Sequence, residues 1–215
     1  MKQTEVKICG ITTLEDINLI NQYRPEYAGF VFFEKSKRNL SDEKAKELLS
    51  CLDSAIMPVA VCVSPTLSLL ERLKSLGFSV IQVHGTLSSE VLQAWDGDIW
   101  QAVNLGADDA SMQLCEDKKI KAYVVDAAKY GSGRTSGWDE EIAKRDAIQQ
   151  YLNSLKKTQK LLVFAGGLNP ENVGQAISMF APNVVDVSSG VEGDCGKSAV
   201  KVQRFIENSK EANLK

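Results

Sequence analysis

The stretch VAVCVSPTLSLLERLKSLGFSVIQV, Val59 to Val83, decides the fold class. It opens on Val59–Val63, a short apolar run rich in β-branched residues that is continuous rather than alternating. Such runs mark strands buried on both faces, as in parallel sheets covered by helices. Pro65 suits a first helical turn after Ser64, and Leu69, Leu70, Leu73 and Leu76 follow at helical spacing. Gly77 stops the helix. A second continuous run, Val80–Val83, comes next. Strand, helix and strand in this order predict a parallel sheet.

Working outward, the same pattern recurs along the whole chain. Further strands are expected at Val6–Cys9, Ala28–Phe32, Ile99–Val103, Ala122–Val125, Leu161–Phe164 and Val184–Val187. Helices are expected at Thr13–Ile20, after Ser41 as N-cap, at Ser88–Ala94, Ala107–Leu114 and Trp138–Leu155, from Asn169-Pro170-Glu171, and at Lys197–Asn208. Ser41 has Lys44 three residues on, so the reciprocal capping box is absent there. Inner faces are read as Ala45, Leu48 and Leu49; as Val173, Ala176, Ile177 and Phe180; and as Val200, Val202, Phe205 and Ile206. Eight strands with helices between them predict a (β/α)₈ barrel formed by residues 1–215 as a single domain. An open doubly wound sheet is the alternative that the pattern leaves standing.

Composition narrows the function. The 215 residues carry 25 basic and 28 acidic side chains, a net charge of −3, and no basic stripe with interleaved aromatics, which speaks against nucleic-acid binding. The pairs Lys118-Lys119 and Lys156-Lys157 read as solvated surface. No apolar run approaches the ~18 residues of a membrane span, and the N-terminal MKQTEVKICG does not resemble a secretion signal, so a cytoplasmic protein is expected. The five cysteines are odd in number and form no C-x-x-C pair, which argues against a disulfide framework or a structural zinc site.

The informative polar residues follow the strands. Cys9-Gly10 ends the first, Lys35, Ser36 and Arg38 follow the second, and His84-Gly85 ends the fourth. Asp126 ends the sixth, Gly166-Gly167 the seventh and Ser188-Ser189-Gly190 the eighth. In a barrel all of them converge on the C-terminal rim, where barrel enzymes do chemistry. Each also has a plainer reading. Cys51, Cys62 and Cys115 read as small buried hydrophobes, and Cys195 lies in a polar turn without a role. His84, the single histidine, reads first as a hydrogen-bonded turn residue, and Asp126 suits a turn cap. Lys7 lies two residues before Cys9, on the same strand face by period two, and no role is assigned to it. Gly166, Gly167, Ser189 and Gly190 have a more specific use. Backbone N–H groups at glycine turns and at a helix N-terminus bind phosphate, and the loops after strands seven and eight usually do so in this fold. With neither a Walker A pattern nor G-x-G-x-x-G, a sugar phosphate fits better than a nucleotide.

These residues form a recognisable set. Lys7-Ile8-Cys9-Gly10-Ile11-Thr12, Gly29-Phe30-Val31-Phe32, Ser36-Lys37-Arg38, Gln82-Val83-His84-Gly85, Val125-Asp126, Ala165-Gly166-Gly167-Leu168-Asn169-Pro170-Glu171-Asn172-Val173 and Asp186-Val187-Ser188-Ser189-Gly190-Val191-Glu192 follow one another in family order. The chain resembles the phosphoribosylanthranilate isomerase family of tryptophan biosynthesis. It departs from the family pattern at Tyr130–Trp138, where the family's first glycine, Phe and Asp are replaced. It departs again at Lys197-Ser198, where a Lys-Asp pair is common and Ser is expected to cap the helix instead.

The resemblance implies a (β/α)₈ barrel and an Amadori rearrangement of N-(5-phosphoribosyl)anthranilate, with no cofactor and no metal. It implies Cys9 as general base and Asp126 as general acid. Arg38 suits the anthranilate carboxylate, because its planar fork binds carboxylates bidentately. Phe32 is a candidate for the wall against the anthranilate ring. The expected partner is a small phosphorylated aminosugar, with neither nucleic acid nor membrane, and the chain is expected to be a monomer or homodimer. Two rival readings differ in class. The histidine-pathway aminosugar isomerase typically uses two aspartates, whereas the first-strand residue here is Cys9. A non-catalytic sugar-phosphate binder would not need the Cys9–Asp126 pair.

Overall fold

The structure, a computed structural model, describes residues 3–104, 115, 117–126, 153–155 and 157–214. Eight parallel strands close into one ring in sequence order: β1 (Glu5–Cys9), β2 (Tyr27–Phe32), β3 (Met57–Val63), β4 (Val80–His84), β5 (Asp98–Asn104), β6 (Ile120–Asp126), β7 (Leu161–Ala165) and β8 (Val184–Val187). The β1–β8 pairing, with Glu5 opposite Val184 and Lys7 opposite Asp186, closes the ring. Closure excludes the open doubly wound sheet, which would leave two free edges. Each expected strand is present. Seven are longer, by one or two residues at an end, because ladder pairing continues past the apolar run to positions such as Glu5, His84 and Asp98.

Described helices flank the ring: α1 (Leu14–Tyr23), α2 (Asp42–Ser50), α3 (Leu67–Ser75), α4 (Ser89–Ala94), α5 (Val173–Phe180) and α6 (Ala199–Ala212). A 3₁₀ turn, Ser189–Val191, follows β8. The expected helix at Ala107–Leu114, most of that at Trp138–Leu155, and the unusual Tyr130–Trp138 loop lie outside the described residues.

Local chemistry explains the helix ends. Ser41 accepts a hydrogen bond from Lys44 N, as expected of a lone N-cap. Thr13 and Asp16 form a reciprocal capping box at α1. Other details differ from expectation. Thr66 rather than Ser64 caps α3, so Pro65 precedes the helix instead of opening it. The segment Asn169–Asn172 is a turn held by the Asn169 side chain, and α5 begins only at Val173. Ser198 occupies the α6 N-cap without a side-chain cap bond, and Val200 is exposed, leaving Val202, Phe205 and Ile206 to pack inward. Lys119 is no solvated surface charge, since its Nζ donates to the carbonyls of Leu92 and Trp95 at the end of α4. Cys51 is exposed, while Cys62 is buried.

Strand periodicity sorts the core into two layers. Ile8, Phe30, Ile81, Val125, Phe164 and Val185 pack outward against helix residues such as Ile17, Leu48 and Leu70. Val59, Val80, Trp100, Val124, Val163 and Val184 fill the ring itself. Phe32 belongs to the outer layer and meets Phe78 edge-on at 5.5 Å. It therefore faces the helices, and the expectation that it walls the substrate pocket is wrong.

Candidate active site

Because successive strand residues point to opposite faces, the inner layer fixes which polar side chains enter the barrel. On β1, Val6 and Ile8 pack outward, which turns Lys7 and Cys9 inward. On β6, Ala122 and Val124 line the interior, and Asp126 shares their phase. On β4 the inward series is Val80, Gln82, His84, and on β8 it is Val184 and Asp186. Cys9 and Asp126 therefore close the inward faces of β1 and β6 at the C-terminal rim.

Around the ring, β6, β7, β8 and β1 are consecutive. Asp126, Gly166-Gly167, Ser189-Gly190 and Cys9 thus occupy one continuous arc. Gly166 and Gly167 both take left-handed φ, +90° and +68°, which allows the tight turn directly after β7. A side chain at Gly190 would collide with the Leu168 carbonyl, so the turns after β7 and β8 touch backbone to backbone. Ser189 and Gly190 open the 3₁₀ turn, whose first N–H groups have no intrahelical acceptor. Ser188 Oγ donates to the Cys9 carbonyl at 3.0 Å and ties this corner to the end of β1.

The surroundings of Cys9 are charged and dry. Lys7 Nζ, with no exposed surface, donates to Asp186 Oδ2 at 2.7 Å across the β1–β8 ladder. Asp186 Oδ1 is buried and has no partner among the described residues. Burial pulls the Lys7 ammonium down, but the Asp186 carboxylate and the Cys9 sulfur outweigh it and leave it above the ordinary lysine value. Burial, joined by the Asp186 carboxylate, pushes the Cys9 thiol above its ordinary value and outweighs the opposite pull of Lys7 and Lys197. Across the barrel, the Gln82 amide lies 2.9 Å from His84 Nε2. Burial, reinforced by Lys7, lowers His84 to about 4, so the imidazole is neutral at physiological pH. His84 is thus an inward strand residue, hydrogen-bonded as expected but not part of a turn.

Room for the thiol is made by a neighbour. Gly29 lies opposite Cys9 in the β1–β2 ladder, and a Cβ there would fall 2.6 Å from Cys9 Sγ. Arg38 reaches the rim from the loop after β2, where its Nε donates to Glu192 Oε1 at 2.5 Å. Lys197 is also drawn in, its Nζ donating to the Ser188 carbonyl at 3.1 Å and its backbone N–H to Asp16 at 2.7 Å.

Reading the sequence missed Gly29, Asp186, Glu192 and Lys197 as parts of this rim. Asp186 had a visible signal, a lone carboxylate in the apolar run Val184–Val187 at the phase that enters a barrel. Glu192 and Lys197 stand in the family-like stretches quoted above, but nothing local marked their meeting with Arg38, because only folding brings the loops after β2 and β8 together.

The profile of the family described as N-(5'-phosphoribosyl)anthranilate isomerase matches residues 6–208. The chain belongs to the phosphoribosylanthranilate isomerase family. It is 38% identical over 205 residues to the enzyme of that name from Clostridium kluyveri, covering 94% of this chain and 96% of the relative. The counterpart from Streptococcus gordonii is 37% identical over 211 residues, covering 97% and 98%. Among solved structures, the Thermotoga maritima phosphoribosylanthranilate isomerase superposes with a TM-score of 0.81 at 30% identity, covering 97% of this chain and all of that one. A phosphoribosylanthranilate isomerase crystallised with reduced 1-(o-carboxyphenylamino)-1-deoxyribulose 5-phosphate superposes with a TM-score of 0.78 at 29% identity. The chain is accordingly an isomerase of tryptophan biosynthesis. It converts N-(5'-phosphoribosyl)anthranilate to 1-(o-carboxyphenylamino)-1-deoxyribulose 5-phosphate.

Proposed function

We propose that Cys9 and Asp126 carry this rearrangement as base and acid, with Arg38 on the substrate carboxylate and the Gly166-Gly167 and Ser189-Gly190 backbone on the phosphate. One observation supports the reading above the others. The thiol, both glycine turns and the carboxyl group stand on four consecutive strands at the same end of the barrel. A phosphate bound between β7 and β8 leaves the sugar spanning the interval from Cys9 to Asp126.

The chemistry needs one proton distributed between the two groups. In the reactive form Asp126 carries it and Cys9 is the thiolate. Asp126 protonates the furanose oxygen as the C1'–O bond breaks, giving an iminium at C1'. Cys9 then takes the proton from C2', and the electron pair of the C–H bond neutralises the iminium as an enolamine. Tautomerisation moves the hydroxyl proton of C2' to C1' and gives the ketone. Returning the proton from Cys9 to Asp126 through solvent resets the pair. A dry pocket disfavours a lone thiolate and keeps the Cys9 thiol above its ordinary value, and the Lys7 ammonium on the same strand face offsets only part of that cost.

The test follows the loss of freshly generated phosphoribosylanthranilate by fluorescence. Cys9→Ser and Asp126→Asn are each expected to lower kcat by about 10²-fold or more while the reduced product analogue still binds. Near-normal turnover in either variant removes that residue from the mechanism. Arg38→Ala is expected to weaken affinity for the analogue; unchanged affinity removes Arg38 from the carboxylate site.

We further infer one domain over residues 1–215, in a cytoplasmic monomer or homodimer with a phosphorylated aminosugar as its small-molecule partner and no cofactor. No helix among the described residues is long and apolar enough to cross a membrane. One Thermotoga maritima structure is described as monomers generated from a dimeric enzyme. Light scattering of the purified chain decides between the two states.

A further inference from the structure

We propose that Glu192 is a positioning residue for Arg38, holding the guanidinium by Nε so that its two terminal nitrogens face the substrate carboxylate. This rests on the reading of Arg38 given above. The contact Arg38 Nε–Glu192 Oε1 uses the stem side of the guanidinium, and Glu192 Oε2 takes Lys37 Nζ at 3.0 Å instead of a second nitrogen of Arg38. Among the described residues nothing takes the terminal nitrogens of Arg38, so the fork that binds carboxylates bidentately stays open.

The stem of Arg38 is fixed as well. It crosses Gly10, where any side chain would collide with Arg38 Cδ. The loop that carries it is pinned by Ser36 Oγ, which accepts from Arg38 N at 3.1 Å, and by Leu40 N donating to the Val31 carbonyl at 2.9 Å. Glu192 has its own supports. Its backbone N–H donates to the Ser189 carbonyl, and it bridges to Lys197, whose buried Nζ lies 3.5 Å from Oε1. Burial pushes the Glu192 carboxyl up, but Arg38, Lys197 and Lys37 outweigh it and hold it at about 2. It is therefore ionised throughout the working range. This one carboxylate faces three basic side chains, Arg38, Lys37 and Lys197, so it holds the guanidinium without neutralising the basic cluster that suits a substrate bearing a phosphate and a carboxylate. A long side chain loses rotamer freedom when it binds, and fixing it beforehand removes part of that loss.

The test compares wild type, Glu192→Gln, Arg38→Ala and the double variant. It measures KM and kcat for phosphoribosylanthranilate, together with inhibition by the reduced product analogue and by a counterpart lacking its carboxylate. Glu192→Gln is expected to raise KM and the analogue's inhibition constant about tenfold, with kcat within about twofold. It leaves inhibition by the carboxylate-free counterpart unchanged and adds nothing further in the Arg38→Ala background. Equal weakening toward both inhibitors, or full additivity with Arg38→Ala, reduces Glu192 to a loop brace and overturns the proposal. So does a Glu192→Gln enzyme with wild-type constants when Arg38→Ala has lost carboxylate discrimination. If Arg38→Ala keeps that discrimination, the Arg38 reading itself fails and the positioning role goes with it.

Discussion

Gly29→Ala tests how tightly the thiol is seated. The added methyl would lie 2.6 Å from Cys9 Sγ, 3.0 Å from Cys9 Cα and 3.1 Å from Cys9 Cβ. A relaxed carbon–sulfur contact is about 1 Å longer than the first of these, since optimal carbon contacts alone already need about 3.5–4.0 Å. The backbone at Gly29 is ordinary β, so the clash and not φ is the cost. Two responses are open: the thiol rotates to another rotamer, or β1 and β2 separate. Rotation moves the sulfur by an ångström or more, and a misplacement of that size costs about 10²-fold in rate. Separation strains the ladder at the overpacking cost of about 1–3 kcal/mol. For a chain of this length that lowers Tm by about 2–12 °C. Steady-state kinetics and thermal melting on the same preparation measure both. Adding Cys9→Ala should restore part of the lost Tm, because it removes the 2.6 Å contact and leaves the milder 3.0 Å and 3.1 Å ones to Cα and Cβ. A Gly29→Ala enzyme with wild-type kcat and wild-type Tm refutes the reasoning.

Three further outcomes are expected. Lys7→Met strands the Asp186 carboxylate in the barrel and should destabilise the protein by about 3–5 kcal/mol in urea titration, with Lys7→Met/Asp186→Asn recovering part of it; equal stability of Lys7→Met and wild type contradicts a paired buried charge. His84 is neutral in the folded barrel with its pKa lowered to about 4, whereas the unfolded chain protonates it near 6.5. Its contribution to stability is complete above the unfolded value and is lost as pH falls from about 6.5 to about 4, by about 3–4 kcal/mol in all. His84→Asn should flatten that part of the stability profile, and an unchanged slope assigns it to other groups. Asp16→Ala removes the α1 capping box and the acceptor of Lys197 N–H, and should cost about 1–3 kcal/mol by chemical denaturation. A loss below about 0.5 kcal/mol, the low end for a cap alone, shows that water replaces the carboxylate.

Much of the site was legible because strand ends are legible. Cys9, Asp126, Gly166-Gly167 and Ser189-Gly190 each stand at or just beyond the end of an apolar run, so counting strands places them on a common rim. What depended on phase was less visible. Phe32 ends an apolar strand as convincingly as Cys9 does, yet it faces Phe78 and the helices while Cys9 faces the interior. Lys7 looked like an ordinary charged residue and is a fully buried ion-pair partner, because Asp186 arrives from the last strand of the ring. Lys119 likewise became a helix-end donor only once α4 and β6 were neighbours.

The sequence by itself determined the elements and their order: apolar periodicity, caps and glycine stops act over a few residues and are written in the chain locally. It also placed the chemically distinctive residues at the ends of strands. Only the tertiary structure decided which of them meet. Closing the ring through β1 and β8 sets Lys7 against Asp186 and brings Glu192 to Arg38, pairs separated by up to 179 residues, while the β1–β2 register sets Gly29 against the Cys9 thiol. Contacts of that range depend on strand register and ring closure, which are properties of all eight strands together and of no single segment.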